Sequence, residues 1–429
     1  RQMQTPVQEG LQAEDFFRAC EEQLLPAEAL YQRLLVGSNA AGDIGMLTAP
    51  AKFHGRGKRL LETWNWAQEV TCTAVRRIVE VEEKRGELPT PLTPAARAIE
   101  RFEGAEYFCG LLAALGKEPF FRGYLYSSDT TKRAVLSRLL KRCYPAKEDS
   151  PQKLKELLAA TDIGEKRLAE AAMYAPQWAG LAEQILGWPG LKKGVWFFQA
   201  HINETFSAEK ETEVALYSPI SPQRFNDGAF DRDWFLTAYG QLGEKRFHIL
   251  YQSAKYITSG SSAHRRSQLY ADAVLGKLDA GELEKEIGEK RNQEKLRCYP
   301  LIPIAEGDRR EALRRYEFIQ RFLKESRQFG AQRRESERKA VLTAMENLAL
   351  TTGFMDVNRM TWYLESEKMK ELAPFFDGVA PGMRADGRNA AAGGPAGDDP
   401  AAGHAGTPAP GADGVLLRLG IDAEGNASL

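Results

Sequence analysis

Residues 164–204, "GEKRLAEAAMYAPQWAGLAEQILGWPGLKKGVWFFQAHINE", decide how this chain is read. "GEKRLAEAAMYA" and "PQWAGLAEQILG" form a pair of short helices, and a third begins at "WPGLKKGVWFF" with Pro189 just inside its start. Proline and glycine supply the breaks, and apolar residues recur at helical spacing between them. The same rhythm runs in both directions from this stretch.

Upstream, "LQAEDFFRACEEQLL" places Phe17, Cys20 and Leu24 at the spacing of one helical face. From Lys58 to Lys84 a longer helix is expected, with Ala67, Val70, Ala74, Ile78 and Val81 along one side, Gly86 as its left-handed cap and Pro89 blocking continuation. "TPAARAIERFEGAEYFCGLLAAL" reads as one helix with Thr93 as N-cap and Pro94 at its first position. Strand-like alternation is nearly absent before residue 410. The expected fold is all-α: stacked helical hairpins, as a HEAT-like or irregular α-solenoid, although no repeat of fixed period is visible. An irregular helical domain is the alternative.

Composition bounds the function. The 429 residues are 43% hydrophobic and 27% charged, with a formal net charge of −1, so attraction to nucleic acid or membrane requires a local patch. Five scattered cysteines form no CxxC and suit a reduced, cytoplasmic protein. No apolar run approaches the ~20 residues of a membrane span. The start, "RQMQTPVQEG", reads as the interior of a longer polypeptide.

The expected division is an N-terminal helical segment over 1–90, a central helical array over 91–290 and Arg-rich helices over 291–377. A flexible Gly/Ala/Pro linker follows over 378–414, and the truncated start of a β-containing domain over 415–429. In that last segment Val415, Leu417 and Leu419 share one side of a strand, "DAEGN" turns, and "ASL" begins the return of a β hairpin.

The blocks "SPISPQRFNDGAFDRDWF", "GEKRFHILYQSAKYI", "HRRSQLYADAVLGKL", "RRYEFIQRFLKESRQFGAQRRESERKAV" and "FMDVNRMTWYLES" resemble a family of very large bacterial proteins. That family is of unknown function (DUF4132, molybdate-metabolism-regulator-like, sometimes with a WGR domain). The resemblance runs from about Lys132 to Glu367 and is less distinct before that. It implies kinship and brings no catalytic residue.

No catalytic signature stands out. "HGRGKRLLETW" lacks the P-loop spacing and reads as a solvated helix start. Asp227, Asp231 and Asp233 do not continue into a calcium loop; Asn226, Asp227 and Gly228 make a turn, and Asp231 caps the helix bearing Trp234 and Phe235. The five histidines have no metal-binding spacing, and His201 and His248 read as hydrogen-bonded core or rim residues.

Two basic features remain. "GSSAHRRSQLYADAVLGKL" sets His264, Arg265 and Arg266 at a helix start, either as an anion cradle or as a joint capped by Ser261 or Ser262. In the capped joint Leu269, Ala273 and Leu278 carry the packing face, and acidic neighbours such as Asp272 compensate the arginines. "DRREALRRYEFIQRFLKESRQF" packs through Tyr316, Ile319 and Leu323, while Arg310, Arg314, Arg321 and Lys324 project from another side. Interspersed glutamates favour a solvated, salt-bridged face over a phosphate-reading one. The expectation is therefore a non-catalytic scaffold that meets protein partners, with no cofactor, no metal and no membrane association. The rest of a parent chain beyond Leu429 would be a further partner. The alternatives are a nucleic-acid- or nucleotide-associated module, using the two basic features, and the accessory arm of an enzyme whose active domain lies elsewhere.

Overall fold

The computed structural model describes residues 11–49, 55–123, 126, 128–202, 204–257, 263–376, 420–421 and 427–428. The chain is all-α, with 21 α-helices among these residues, from the six-residue Thr93–Ala98 to the 22-residue Arg232–Ser253. Helices pack in pairs: Ala27–Leu35 lies on Trp66–Lys84, Ala105–Leu115 on Lys132–Arg142, and Leu191–Ala200 on Arg232–Ser253. Further along, Gln293–Cys298 and Arg309–Glu325 both lie on Ala331–Thr351. Buried apolar residues form one connected cluster from Ala13 to Leu364. None of the described helices is long and apolar enough to cross a membrane.

Local chemistry explains the boundaries. Thr131, Ser150, Ser207, Asp231, Asp279, Asn292 and Asp308 each accept a hydrogen bond from a backbone N–H in the first turn of the helix they cap. The Asp231 cap is as expected: its Oδ1 accepts from the Trp234 N–H at 2.9 Å, and Trp234 and Phe235 are buried. Asp227 ends a short helix, Pro222–Asp227, which Gly228 closes at φ +96°. The helix over "RGKRLLET" starts after left-handed Gly55, and Lys58 pairs with Glu62 one turn on.

The densest core surrounds Leu191–Ala200, where Val195, Phe197, Phe198 and Ala200 are fully buried. Each such Val or Phe contributes about 1.5–3 kcal/mol. Gly243 interrupts Arg232–Ser253 with φ +72° and ψ 162°, which splits it into two helices. Leu242 and Leu250, on either side of the break, close over Gly194, where a Cβ would meet their methyl groups at 2.8 Å. His201 sits in this core, its Nδ1 at 2.8 Å from the Phe197 carbonyl, whereas His248 stands at the surface beside Gln252.

Several boundaries differ from expectation. The segment from Lys58 is two helices, Arg56–Thr63 and Trp66–Lys84, because Trp64 turns out of the first to stack on Phe17 at 5.5 Å. Gly86 is not left-handed; the helix ends at Arg85 in extended backbone, and the Arg85 guanidinium holds the following loop through the carbonyls of Glu87 and Leu88. Val70 and Val81 are only half-buried, and Leu24 lies beyond its helix at 71% exposure. Residues 93–115 also split, into Thr93–Ala98 and Ala105–Leu115, with Leu92 as cap and Pro94 second. Between them Phe102–Glu103 pairs in parallel with Cys143–Tyr144, a bridge no local pattern announces.

At the far end Gly420–Ile421 pairs antiparallel with Ala427–Ser428, while the expected turn over 422–426 lies outside the described residues. The strand residues Val415, Leu417 and Leu419, the segment 378–414, Ser261, Ser262, His54 and His404 lie outside the described residues.

Candidate functional site

The helix Arg265–Val274 begins at His264, and its first turn is bound inward. Arg266 is 7% exposed. Its Nε and Nη2 donate to the two carboxylate oxygens of Glu294 at 2.6 and 2.5 Å, and its Nη1 donates to the Asn226 carbonyl at 2.7 Å. A guanidinium fork satisfied on both prongs has no free edge for a phosphate. Asp272, the acidic neighbour expected to compensate it, accepts instead from the Tyr251 hydroxyl at 2.6 Å. His264 is buried, and burial with the charges of Arg122, Arg265 and Lys255 pushes its pKa down. Its Nδ1 has no partner among the described residues. Arg265 alone of the three faces solvent. The packing face runs through Ser267, Tyr270, Ala271 and Ala273, with Leu269 and Leu278 half-buried at its margin.

The Arg-rich helix is Arg309–Glu325, and it does pack through Tyr316 and Ile319, with Leu323 half-buried. Its cations divide into two sets. Arg314 donates to Glu311 at 2.7 and 2.8 Å and to Glu284 of the neighbouring helix at 2.5 Å. Arg315, buried, donates to Glu311 and to the Ile302 carbonyl. Hydrogen bonds from these two arginines hold the Glu311 carboxyl below its ordinary range. Arg310, Arg321 and Lys324 are exposed, with no acidic partner among the described residues. Arg321 and Lys324, together with Arg327 and Lys368, line a groove of 540 Å³ between this helix and Val357–Phe376. The glutamates mixed into the region are engaged: Glu325 and Glu337 with Arg291, Glu335 with Arg338, and Glu317 with Lys368.

A larger cleft lies elsewhere and was not visible in the sequence. It measures 1020 Å³ and is walled by Gln68, Cys72, Arg76, Glu80 and Glu83 of Trp66–Lys84, opposite Phe102–Tyr107. Glu83 has no hydrogen-bond or ion-pair partner among the described residues, and its carboxyl packs where Gly110 carries no side chain. Burial, with help from Glu80, pushes its pKa up to about 7. Such a carboxyl can exchange a proton near neutrality. The thiol on the same wall, Cys72, is pushed up by burial and is not activated as a nucleophile. The cleft is lined by no histidine, and no group of three metal-ligating side chains occurs among the described residues. The polar face of Trp66–Lys84 looks like any solvated helix face in sequence, because its opposite wall arrives only through the bridge to Cys143–Tyr144.

Residues 1–364 match a family of unknown function (DUF5724), and the chain belongs to that family. This corrects the resemblance to the DUF4132 proteins. The blocks that carried it are amphipathic helices of mixed charge, a pattern that recurs among unrelated helical proteins. The match begins at residue 1, so it also takes in the first part of the chain, which the resemblance left out. No curated protein and no solved structure matches the chain.

Proposed function

We propose that this member of the DUF5724 family is a non-catalytic helical scaffold, a cytoplasmic interaction region that presents its surfaces to protein partners. The observation that supports this best is where its arginines are used. Arg266 joins its own helix to Gln293–Cys298, and Arg291 joins Gln293–Cys298's entry to Glu337 of Ala331–Thr351. Arg85 holds Glu82 and reaches the Thr130 carbonyl. Buried ion pairs add little net stability but fix which helices lie together. That is what a framework with defined surfaces requires. The cytoplasmic address rests on five unpaired thiols.

A second reading has its own observation. Arg310, Arg321 and Lys324 are uncompensated, and a stripe of this kind can follow a phosphate backbone. Photo-crosslinking from exposed positions of the chain in cells separates the two. The scaffold reading expects protein adducts that survive nuclease digestion. Adducts that disappear with nuclease would contradict it.

A further inference from the structure

The helix Val357–Phe376 buries Met360 and Leu364 completely, yet carries apolar residues on its opposite face as well. Trp362 and Met369, seven residues apart, are 72% and 52% exposed, and Met355, two residues before the helix starts, is 84% exposed. Two turns of helix separate seventh neighbours, so Trp362 and Met369 form one apolar stripe, about 10 Å apart along the axis. A tryptophan that far out of the core forfeits most of its burial, and exposed aromatic and methionine side chains together mark interaction surfaces.

The stripe borders the cationic groove. Glu365, three residues from Trp362 and four from Met369, lines that groove and accepts from the Tyr316 hydroxyl at 2.5 Å. Lys368, next to Met369, lines it too and pairs with Glu317. Both acids of the groove are thus engaged, while Arg321, Lys324 and Arg327 have no acidic partner among the described residues. Apolar knobs run along one edge and an unbalanced row of cations along the other.

We propose that this surface docks an acidic amphipathic helix of a partner protein, its apolar face on Trp362 and Met369 and its carboxylates on Arg321, Lys324 and Arg327. The inference rests on the scaffold reading and gives it a location and a partner chemistry. A partner helix of about three turns spans both side chains. A nucleic acid would use the cations and could stack a base on Trp362, but it would leave Met369 without a role.

The test uses the full chain and two labelled probes: a leucine/glutamate amphipathic peptide of about 18 residues and a single-stranded DNA of similar length. Anisotropy should report binding of the peptide. Trp362→Ala should weaken it about tenfold or more, as expected for an aromatic anchor. The pair Arg321→Glu with Lys324→Glu should weaken it similarly. Residual binding should be salt-sensitive in the first variant and salt-insensitive in the second. All three side chains are exposed, and circular dichroism checks that the fold is kept. Absence of peptide binding at about 1 mM, binding unaffected by Trp362→Ala, or self-association lost in Trp362→Ala would overturn the proposal. If the peptide fails while nuclease-resistant crosslinks persist, only this surface is refuted. If DNA binds in its place and the crosslinks vanish with nuclease, the scaffold reading falls as well.

Discussion

Arg291 and Glu337 lie 46 positions apart in sequence and meet in a fork, with Nη2 to Oε2 at 2.6 Å and Nε to Oε1 at 3.0 Å. The Glu337 side chain is fully buried, and the Arg291 guanidinium also packs on the Phe322 ring at 3.8 Å. Removing one member of a buried pair leaves the other charge without its partner. Glu337→Ala should therefore cost about 3–5 kcal/mol in urea unfolding. Glu335→Ala, which breaks the exposed pair with Arg338, should stay within about 0.5 kcal/mol. Similar costs at both positions would remove the strut from the account.

Glu83 makes stability depend on pH. Its folded pKa of about 7 exceeds the ordinary 4.5, so the folded state holds this proton more tightly than the unfolded chain does. That contribution is fully present below pH 4.5 and is lost as pH rises through about 7. With screening of this partly exposed group allowed for, Glu83→Gln should be more stable than the parent by about 1–2 kcal/mol at pH 8. At pH 4.5 the two should be equal, as measured by paired urea titrations.

His201 acts in the opposite direction. Complete burial drives its pKa down to about 3 from 6.5, so it favours the fold above pH 6.5 and loses that contribution as pH falls toward 3. In His201→Gln this limb is absent. The stability gap between parent and variant should narrow by about 2 kcal/mol between pH 7.5 and pH 5.

Two glycines separate backbone need from mere exposure. Gly228 has φ +96°, and a Cβ there would lie 2.6 Å from both Arg297 Cδ and the Tyr270 hydroxyl. Gly228→Ala should cost about 2 kcal/mol or more. Gly86 has an ordinary φ and nothing within 4 Å, so Gly86→Ala should be neutral or stabilising by up to about 1 kcal/mol. Thermal unfolding of the two variants decides this.

What was legible in the sequence was local. Asp231 capping Trp234 and Phe235, the helices over Glu165–Tyr174 and Ala179–Leu186, and the Tyr316–Ile319 face all follow from spacing within a few turns. What was not legible depends on distant partners. Arg266 is satisfied by Glu294, 28 residues away, whereas the sequence pointed to nearby acids such as Asp272. The Glu83 cleft requires the parallel bridge from Phe102–Glu103 to Cys143–Tyr144, some forty residues along the chain. Arg310, Arg321 and Lys324 were placed correctly on one exposed face, but Arg314 was drawn off by Glu284 of another helix. Spacing predicts the face of a helix; it does not predict what that face meets.

The central claim is that the arginines of this chain serve mainly to hold its helices together, leaving surfaces for protein partners. Binding of the full chain to short DNA, RNA and nucleotide probes across a salt series tests it most directly. The account predicts no measurable binding at physiological salt, and only weak binding at low salt. Tight binding that falls steeply with salt, and is lost in Arg310→Ala, Arg321→Ala and Lys324→Ala combined, would contradict it.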